Sequence, residues 1–274
     1  MNEPTDLSAY RANPREVERV SRLFELLPTR GPSVLDVGAR DGHLSSLLAD
    51  RFERVVALDL DVPEVAHPRV SCVAGDATAL DYPDNTFHTV VCAEVLEHIP
   101  ASLLPLACRE IVRVASHCAV IGVPYRQDLR LGCTTCRSCG ATNPPWGHVN
   151  SFDEHRLVTL MTGMTPMVTD FVGRTRSASN ALSARLLNFA GNPFGTYDQD
   201  ETCVHCGQAL QRPAARTFAQ KVATRVGTWG LGIQERFTPW RGNWIHMRFE
   251  KPVVVVQHHA GQAGIARSAE LMPG

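Results

Sequence analysis

Val34-Leu35-Asp36-Val37-Gly38-Ala39-Arg40-Asp41-Gly42 runs from a short apolar segment into a glycine-bearing turn, and His43 to Asp50 then continues with the spacing of an amphipathic helix. Glycines in such a strand–turn–helix allow positive φ and let a ligand approach the backbone closely. Working outward, Arg54 to Leu58 reads as a second strand ending at Asp59, and Val70 to Val73 as a third ending at Gly75-Asp76. Thr89 to Cys92 is a fourth, after the turn residues Pro83-Asp84-Asn85, and Ala119 to Val123 a fifth, with a helix over Leu103 to Val114 between them. Upstream, Val17, Val20, Leu23, Phe24 and Leu27 recur at helical spacing after Pro14. Apolar strands alternating with helices predict a mostly parallel sheet covered on both faces.

Beyond Pro124 the rhythm breaks. Arg126 to Asn150 and Arg174 to Arg212 are irregular, with clustered cysteines. Between and after them, Phe152 to Met161 and Thr217 to Val226 read as helices, Pro166 to Val172 as a sixth strand and Val253 to Gln257 as the last. The expected organisation is an N-terminal helical cap over 1–30 and one domain over 31–257. That domain carries cysteine-rich insertions at about 126–150 and 174–215, and a flexible tail follows over 258–274.

The turn after Val37 suits a dinucleotide or S-adenosylmethionine. A dinucleotide fingerprint would need glycine at 38, 40 and 43, where the chain has Gly38, Arg40 and His43. Asp36 also repels a pyrophosphate and attracts the cationic amino group of S-adenosylmethionine. Asp59, at the end of the second strand, can accept both ribose hydroxyls, and Asp76, at the end of the third, the adenine amino group. Each Asp alone reads equally well as a turn or cap residue; three acids at successive strand ends do not.

Val34–Gly42, Val55–Asp59, Gly75-Asp76-Ala77 and the run Pro83 to Ile99 resemble, in order and spacing, the successive motifs of the class I S-adenosylmethionine-dependent methyltransferases, most closely their small-molecule branch. The resemblance covers about half the chain. It implies a Rossmann-like, mostly parallel seven-stranded sheet with helices on both faces, S-adenosylmethionine as donor and methyl transfer as the reaction. It also implies that Asp36, Gly38, Ala39 and Gly42 line the methionine end, Asp59 and Leu60 the ribose, Asp76 and Ala77 the adenine, and Cys92, Ala93 and Glu94 the floor. The chain departs from the pattern at Arg40, where a glycine is usual, at His88, where an Asp is usual, and at Ala115-Ser116-His117-Cys118, which lacks the paired glycines.

Methyl transfer needs an in-line nucleophile, and a hydroxyl or amine acceptor is helped by a base. Glu94 and His98 are four apart, with Glu97 beside them, so a short helix would set Glu94 and His98 on one face near the cofactor. An imidazole there can take the acceptor's proton. The plainer reading is that Glu97-His98 caps and packs this helix. His148, in Gly147-His148-Val149-Asn150-Ser151-Phe152, resembles a residue lying over the substrate mouth in related enzymes, and a zinc ligand or surface histidine is the alternative. Asn143-Pro144-Pro145-Trp146 looks like the catalytic tetrapeptide of amino-group methyltransferases, but that motif must follow the fourth strand. Here it reads as a Pro-rich loop.

Cys133-x-x-Cys136-x-x-Cys139-Gly140 and Cys203-x-x-Cys206-Gly207 hold five of the nine cysteines. A structural zinc ion takes four tetrahedral thiolate or imidazole ligands, and each Cys-x-x-Cys turn supplies two. Cys136, Cys139, Cys203 and Cys206 are the expected ligands because each pair ends in Cys-Gly, with Cys133 or His148 as substitutes. Such an ion would pin the two insertions into a lid over the acceptor pocket. Cys72, Cys92, Cys108 and Cys118 read as small core residues.

The 274 residues, 44% hydrophobic, suffice for one large core. A net charge of -1 gives no footprint for nucleic acid. No apolar run is long enough for a membrane span, and the polar start lacks a secretory pattern, so a cytoplasmic location with reduced cysteines is expected. The leading function is methylation of a small-molecule acceptor, such as a sugar, a lipid-linked compound or a secondary metabolite. Two alternatives stand beside it. One is an RNA or protein methyltransferase using the zinc module as reader, with Arg174, Arg176, Arg185, Arg212, Arg216 and Arg225 as a local patch. The other is a non-catalytic S-adenosylmethionine-binding scaffold. The acceptor and the oligomeric state stay open.

Overall fold

The computed structural model describes residues 8–197, 202–213 and 215–252. Its framework is a seven-stranded sheet built from β1 (Gly31–Val37), β2 (Phe52–Asp59), β3 (Val70–Ala74), β4 (Phe87–Ala93), β5 (Ala115–Pro124), β8 (Thr165–Val172) and β9 (Trp244–Glu250). The strand order is β3-β2-β1-β4-β5-β9-β8. Strands β1 to β5 pair in parallel, and β9 runs antiparallel to both of its neighbours. A separate two-stranded ribbon, β6 (Thr134–Thr135) with β7 (Thr142–Asn143), lies in the first irregular stretch. The helices are α1 (Ser8–Arg11), α2 (Pro14–Leu26), α3 (His43–Leu48), α4 (Leu104–Val114), α5 (Glu154–Leu160), α6 (Ala181–Phe189) and α7 (Phe218–Phe237).

The alternation within each strand sorts its side chains to the two faces. Leu35, Val37, Val90 and Ile121 pack with Leu104, Ile111 and Leu157 of α4 and α5 on one side. Val34, Val55, Val91 and Val120 pack with Leu23 and Leu26 of α2 and Leu48 of α3 on the other. Burial on both faces explains the nearly continuous apolar strands. Ile111 is fully buried, so Ile111→Ala is expected to cost about 2–5 kcal/mol through lost burial and a residual cavity. Denaturant titration would show this as a lower midpoint at an unchanged slope.

Three elements depart from the sequence expectation. The seventh strand of the sheet is Trp244–Glu250; the strand expected over Val253 to Gln257 and the tail expected over 258–274 lie outside the described residues. Ile245, Met247 and Phe249 face the core, but His246 on the opposite side is also fully buried, which obscured the two-residue period. Helix α7 runs to Phe237, past Val226, because Gly227 and Gly230 serve close packing on α6 and do not break the helix. A Cβ at Gly227 would come within 3.2 Å of Leu187. Finally, the stretch expected to be irregular from Arg174 contains α6, whose N-cap Asn180 side chain accepts from the Ser183 N–H at 2.9 Å.

Candidate cofactor cleft, acceptor mouth and cysteine cluster

The strand order reverses direction between β1 and β4, and the carboxyl ends of adjacent strands open a crevice there, the place where open α/β sheets bind ligands. The turn after β1 has φ of +76° at Gly38, +49° at Arg40 and +72° at Gly42. A Cβ at Gly38 would collide with Val95, and one at Gly42 with Val65, so small residues are required on steric as well as dihedral grounds. The Gly38 and Ala39 N–H groups donate to the Leu58 carbonyl at 2.8 and 3.0 Å, fastening the turn to β2.

The three strand-end acids sit in different environments. Asp36 is 1% exposed and accepts from the Ser45 hydroxyl of α3 at 2.5 Å; burial pushes its carboxyl up to about 6. Asp59 is half-buried, and its two oxygens accept from the Arg40 N–H at 2.6 Å and the Leu60 N–H at 2.7 Å. Its carboxylate is thereby held beside the glycine turn, while the Leu60 side chain stands in solvent. Asp76 is exposed and accepts from both the N–H and the hydroxyl of Thr78 at 2.8 Å, which hold its carboxyl below the usual range. Ala77 packs against the core edge. Cys92 turns its thiol into the core, fully buried, so it meets the cleft only through its backbone; Ala93 and Glu94 are half-buried at the end of β4.

The acceptor side differs from the sequence expectation. Val95 to Ile99 form turns, not a helix, because Glu94 adopts φ of +59° and reverses the chain. Glu94 and His98 are therefore not stacked on one helical face. The Glu94 carboxylate instead points toward α2 and β9. Its Oε2 accepts from Trp244 Nε1 at 3.1 Å, and its Oε1 is buried without a partner among the described residues. Burial raises this carboxyl to about 7 against the pull of the Arg19 charge. Arg19 is itself buried and forms a bidentate pair with Glu16, Nε at 2.8 Å and Nη2 at 2.5 Å, while the Tyr10 hydroxyl donates to the same Glu16 at 2.9 Å. Arg11 of α1 pairs with Asp41 of the glycine turn, so the N-terminal helices rest over the cleft.

His98 meets His148 in a perpendicular ring contact, centroids 4.6 Å apart. The segment carrying His148 is locked there by the Val149 and Asn150 N–H groups, which donate to the Glu97 carbonyl at 2.8 and 3.2 Å. Gln127 Oε1 lies 2.7 Å from His148 Nδ1, and burial lowers the His148 pKa to about 4. The Glu97 carboxyl is fully buried, with both oxygens unpartnered among the described residues, and burial raises it well above the usual range, favouring the neutral acid. Arg19, Glu16, Trp244 and Gln127 were not signalled by the sequence. Charges on a surface-type helix read as solvated, and Trp244 fell in a segment with no assigned element.

The structure brings Cys136, Cys139, Cys203 and Cys206 together, with all four sulfurs within 4.8 Å of one another. Cys136 to Cys206 and Cys139 to Cys203 are 3.7 Å apart. Tetrahedral zinc with Zn–S bonds of about 2.3 Å requires S···S separations of about 3.8 Å, so the donor set fits. Each knuckle closes alike: the Gly140 N–H donates to Cys136 O at 2.9 Å and the Gly207 N–H to Cys203 O at 2.8 Å, with φ of +74° and +70°. The Asn143 side chain ties one knuckle to the other by accepting from the Val204 N–H at 2.9 Å. Neither expected substitute joins them: the Cys133 thiol donates to Leu129 O at 3.2 Å, and His148 packs against His98.

Strand order, glycine turn and strand-end acids define a class I methyltransferase fold. Residues 35–119 match the family described as methyltransferase domain. The chain is 39% identical over 89 residues to a demethylmenaquinone methyltransferase of Renibacterium salmoninarum, covering 31% of this chain and 37% of that one. It is 34% identical over 113 residues to a ubiquinone biosynthesis O-methyltransferase of Xanthomonas euvesicatoria, covering 37% and 46%. The chain thus spans less than half the length of these curated relatives. Among solved structures, the N-methyltransferase NodS of Bradyrhizobium japonicum superposes with a TM-score of 0.50 at 16% identity, covering 89% of this chain and 99% of that one, a likeness of fold. Among the described residues, no helix is long and apolar enough to cross a membrane.

Proposed function

We propose that this chain transfers the methyl group of S-adenosylmethionine to a hydroxyl or amine of a small-molecule acceptor. The observation that carries the reading is Asp59, its carboxylate fixed by the Arg40 and Leu60 N–H groups at the tip of β2 beside the glycine turn. The names of the demethylmenaquinone methyltransferase and the ubiquinone biosynthesis O-methyltransferase that the chain resembles support a small acceptor. In this reading Asp36, Gly38, Ala39 and Gly42 surround the methionine end, Asp59 and Leu60 hold the ribose, Asp76 and Ala77 the adenine, and the Cys92–Glu94 backbone forms the floor. When bound, the cofactor supplies a methyl group on a positively charged sulfur.

The chain's own work is to orient and to take a proton. The N-terminal helices, through Arg11–Asp41 and the Tyr10–Glu16–Arg19 network, close one side of the cleft and exclude water. His98 and His148 line the other side. Glu94 is the proton acceptor: its Oε1 has no partner among the described residues, and a carboxyl raised to about 7 is half ionised near neutral pH. Such a group is protonated and idle below pH 7 and ionised above it. Methyl transfer is therefore expected to rise as pH increases through about 7. Glu94→Gln is expected to lower kcat by about 10²–10³-fold and to remove that limb. A pH–rate profile unchanged in the variant would exclude Glu94 from this role.

We further propose that Cys136, Cys139, Cys203 and Cys206 hold a structural zinc ion that pins the two insertions as a lid. Trp146 and His148, ring centroids 5.9 Å apart, bring the first insertion to the mouth. Labelled methyl transfer from S-adenosylmethionine into fractionated cell extract would identify the acceptor. A purified, folded protein that methylates nothing in such fractions yet binds the cofactor would point to the scaffold reading instead.

A further inference from the structure

Helix α7 presents its large apolar side chains to solvent. Phe218, Val222, Val226, Trp229, Ile233 and Phe237 recur at intervals of four, four, three, four and four residues, so they form one stripe along the helix. Phe218, Trp229 and Phe237 are 83%, 71% and 80% exposed. The side of α7 that packs on α6 is the opposite one, made of Ala223, Thr224 and Gly227, with Gly230 against the Ser183 hydroxyl. A surface helix ordinarily buries its apolar stripe and exposes its small and polar face; here the arrangement is reversed over twenty residues.

The stripe has a basic margin. Lys221, Arg225 and Arg236 are exposed along one flank, and Arg225 and Arg236 share a shallow groove with Trp229 and Ile233. Just beyond the helix, Arg174 and Arg176 lie over the ring of Trp240, about half of which is exposed. Between Arg174 and Arg241 the sequence has nine basic and four acidic residues, an excess of five in a chain of net charge -1. Positive charge is thus concentrated on the segment that carries the uncovered apolar face. Aromatic and aliphatic side chains in one stripe, bordered by arginine and lysine, suit a helix lying in the plane of a bilayer surface, and the basic margin suits anionic headgroups. α7 is not apolar enough to span.

We propose that the α7 face docks this protein on an anionic lipid surface, with Trp229, Phe218 and Phe237 entering the headgroup region and Arg225, Arg236 and Lys221 contacting lipid phosphates. Nucleic acid fits less well, because its binding faces place cations over a backbone track, not a continuous aliphatic stripe. The proposal does not depend on the methyl-transfer reading.

The test is co-sedimentation of the full chain with vesicles of phosphatidylcholine alone, or mixed with phosphatidylglycerol. The wild type is expected to bind the anionic vesicles about tenfold or more tightly than the neutral ones, weakening as salt rises. Trp229→Ser combined with Phe237→Ser is expected to reduce retention on anionic vesicles about tenfold or more. Arg225→Gln with Arg236→Gln should instead diminish the preference for anionic over neutral lipid. All four side chains are exposed, so circular dichroism should show unchanged folding in both variants. Absence of retention on anionic vesicles, or retention indifferent to the apolar pair, overturns the proposal. So does a wild-type dimer in light scattering that Trp229→Ser/Phe237→Ser converts to monomer, which would assign the face to a second copy of the chain. Salt-sensitive retention on RNA without vesicle binding also overturns it.

Discussion

Asp59→Ala is expected to weaken S-adenosylmethionine binding by about 10²–10³-fold while leaving the fold intact. The carboxylate stands at the tip of β2, where two hydroxyls of a ribose would each donate to an ionised oxygen. A hydrogen bond to a charged group contributes about 1.5–3 kcal/mol, and about 1.4 kcal/mol is tenfold in affinity. The side chain also organises the site before anything binds, because its oxygens hold the Arg40 and Leu60 N–H groups on either side of the crevice. Removing it frees the Arg40 turn, where φ is already +49°, so binding would have to re-order that segment. The sheet itself should not notice: Asp59 pairs with Ala74 through its backbone, and β2 is held by Val55, Val56, Ala57 and Leu58. Asp59→Asn keeps one acceptor oxygen and is expected to lose only about tenfold. Calorimetric titration of the demethylated product into both variants, with matched melting curves, separates the two effects. An affinity for Asp59→Ala within twofold of wild type would remove the basis for placing the ribose at β2 and, with it, the proposed cofactor orientation.

How far the molecule could be read from its sequence depended on whether the determining forces were local. Strands β1, β2, β4 and β5 announce themselves because they are buried on both faces and need apolar residues almost throughout. The glycine turn is legible because the positive φ at Gly38 and Gly42 is a local backbone requirement, although the side chains that exclude a Cβ there, Val95 and Val65, lie far along the chain. The order of strand-end acids follows from the same chain rhythm. What stayed hidden was decided by tertiary contact. Glu16 and Arg19 look like the wet side of an amphipathic helix, yet they neutralise each other in a buried pair beside Glu94. The expected helix from Glu94 to His98 fails because one left-handed residue sends the Glu94 carboxyl toward Trp244, a partner 150 positions away. β9 escaped notice because His246 is buried opposite Gly122, where pattern reading assumes solvent. The cysteine spacing shows each knuckle but not their meeting; the Cys-Gly endings chose Cys136 over Cys133, and the fold places Cys133 against Leu129 O instead.

Removal of zinc is expected to release the two insertions while sparing the central sheet. Among the described residues, the buried apolar side chains around the four sulfurs amount to a small cluster, Cys136, Cys203, Tyr197 and Leu210, far too little burial to offset the entropy of ordering the irregular loops that carry the two knuckles. The Tyr197 hydroxyl accepts from the Thr135 N–H at 2.9 Å and donates to Gly191 O at 3.0 Å, but such bonds add only about 1 kcal/mol each. Metal–thiolate binding, with apparent free energies of about 10–16 kcal/mol in structural zinc sites, would then be what chiefly holds this region together. The protein as purified should contain one equivalent of zinc per chain by elemental analysis. Chelation, or Cys203→Ser, should expose 126–150 and 174–215 to limited proteolysis while 31–124 stays resistant. Because Gln127 and Trp146 meet His148 in the first insertion, the proposed lid would carry acceptor contacts, and the acceptor KM should rise more than the cofactor Kd, which in the proposed reading rests on β1 to β3. A zinc-free preparation, or a chelated one with the same digestion pattern and the same acceptor KM, would show that the four thiols close no lid.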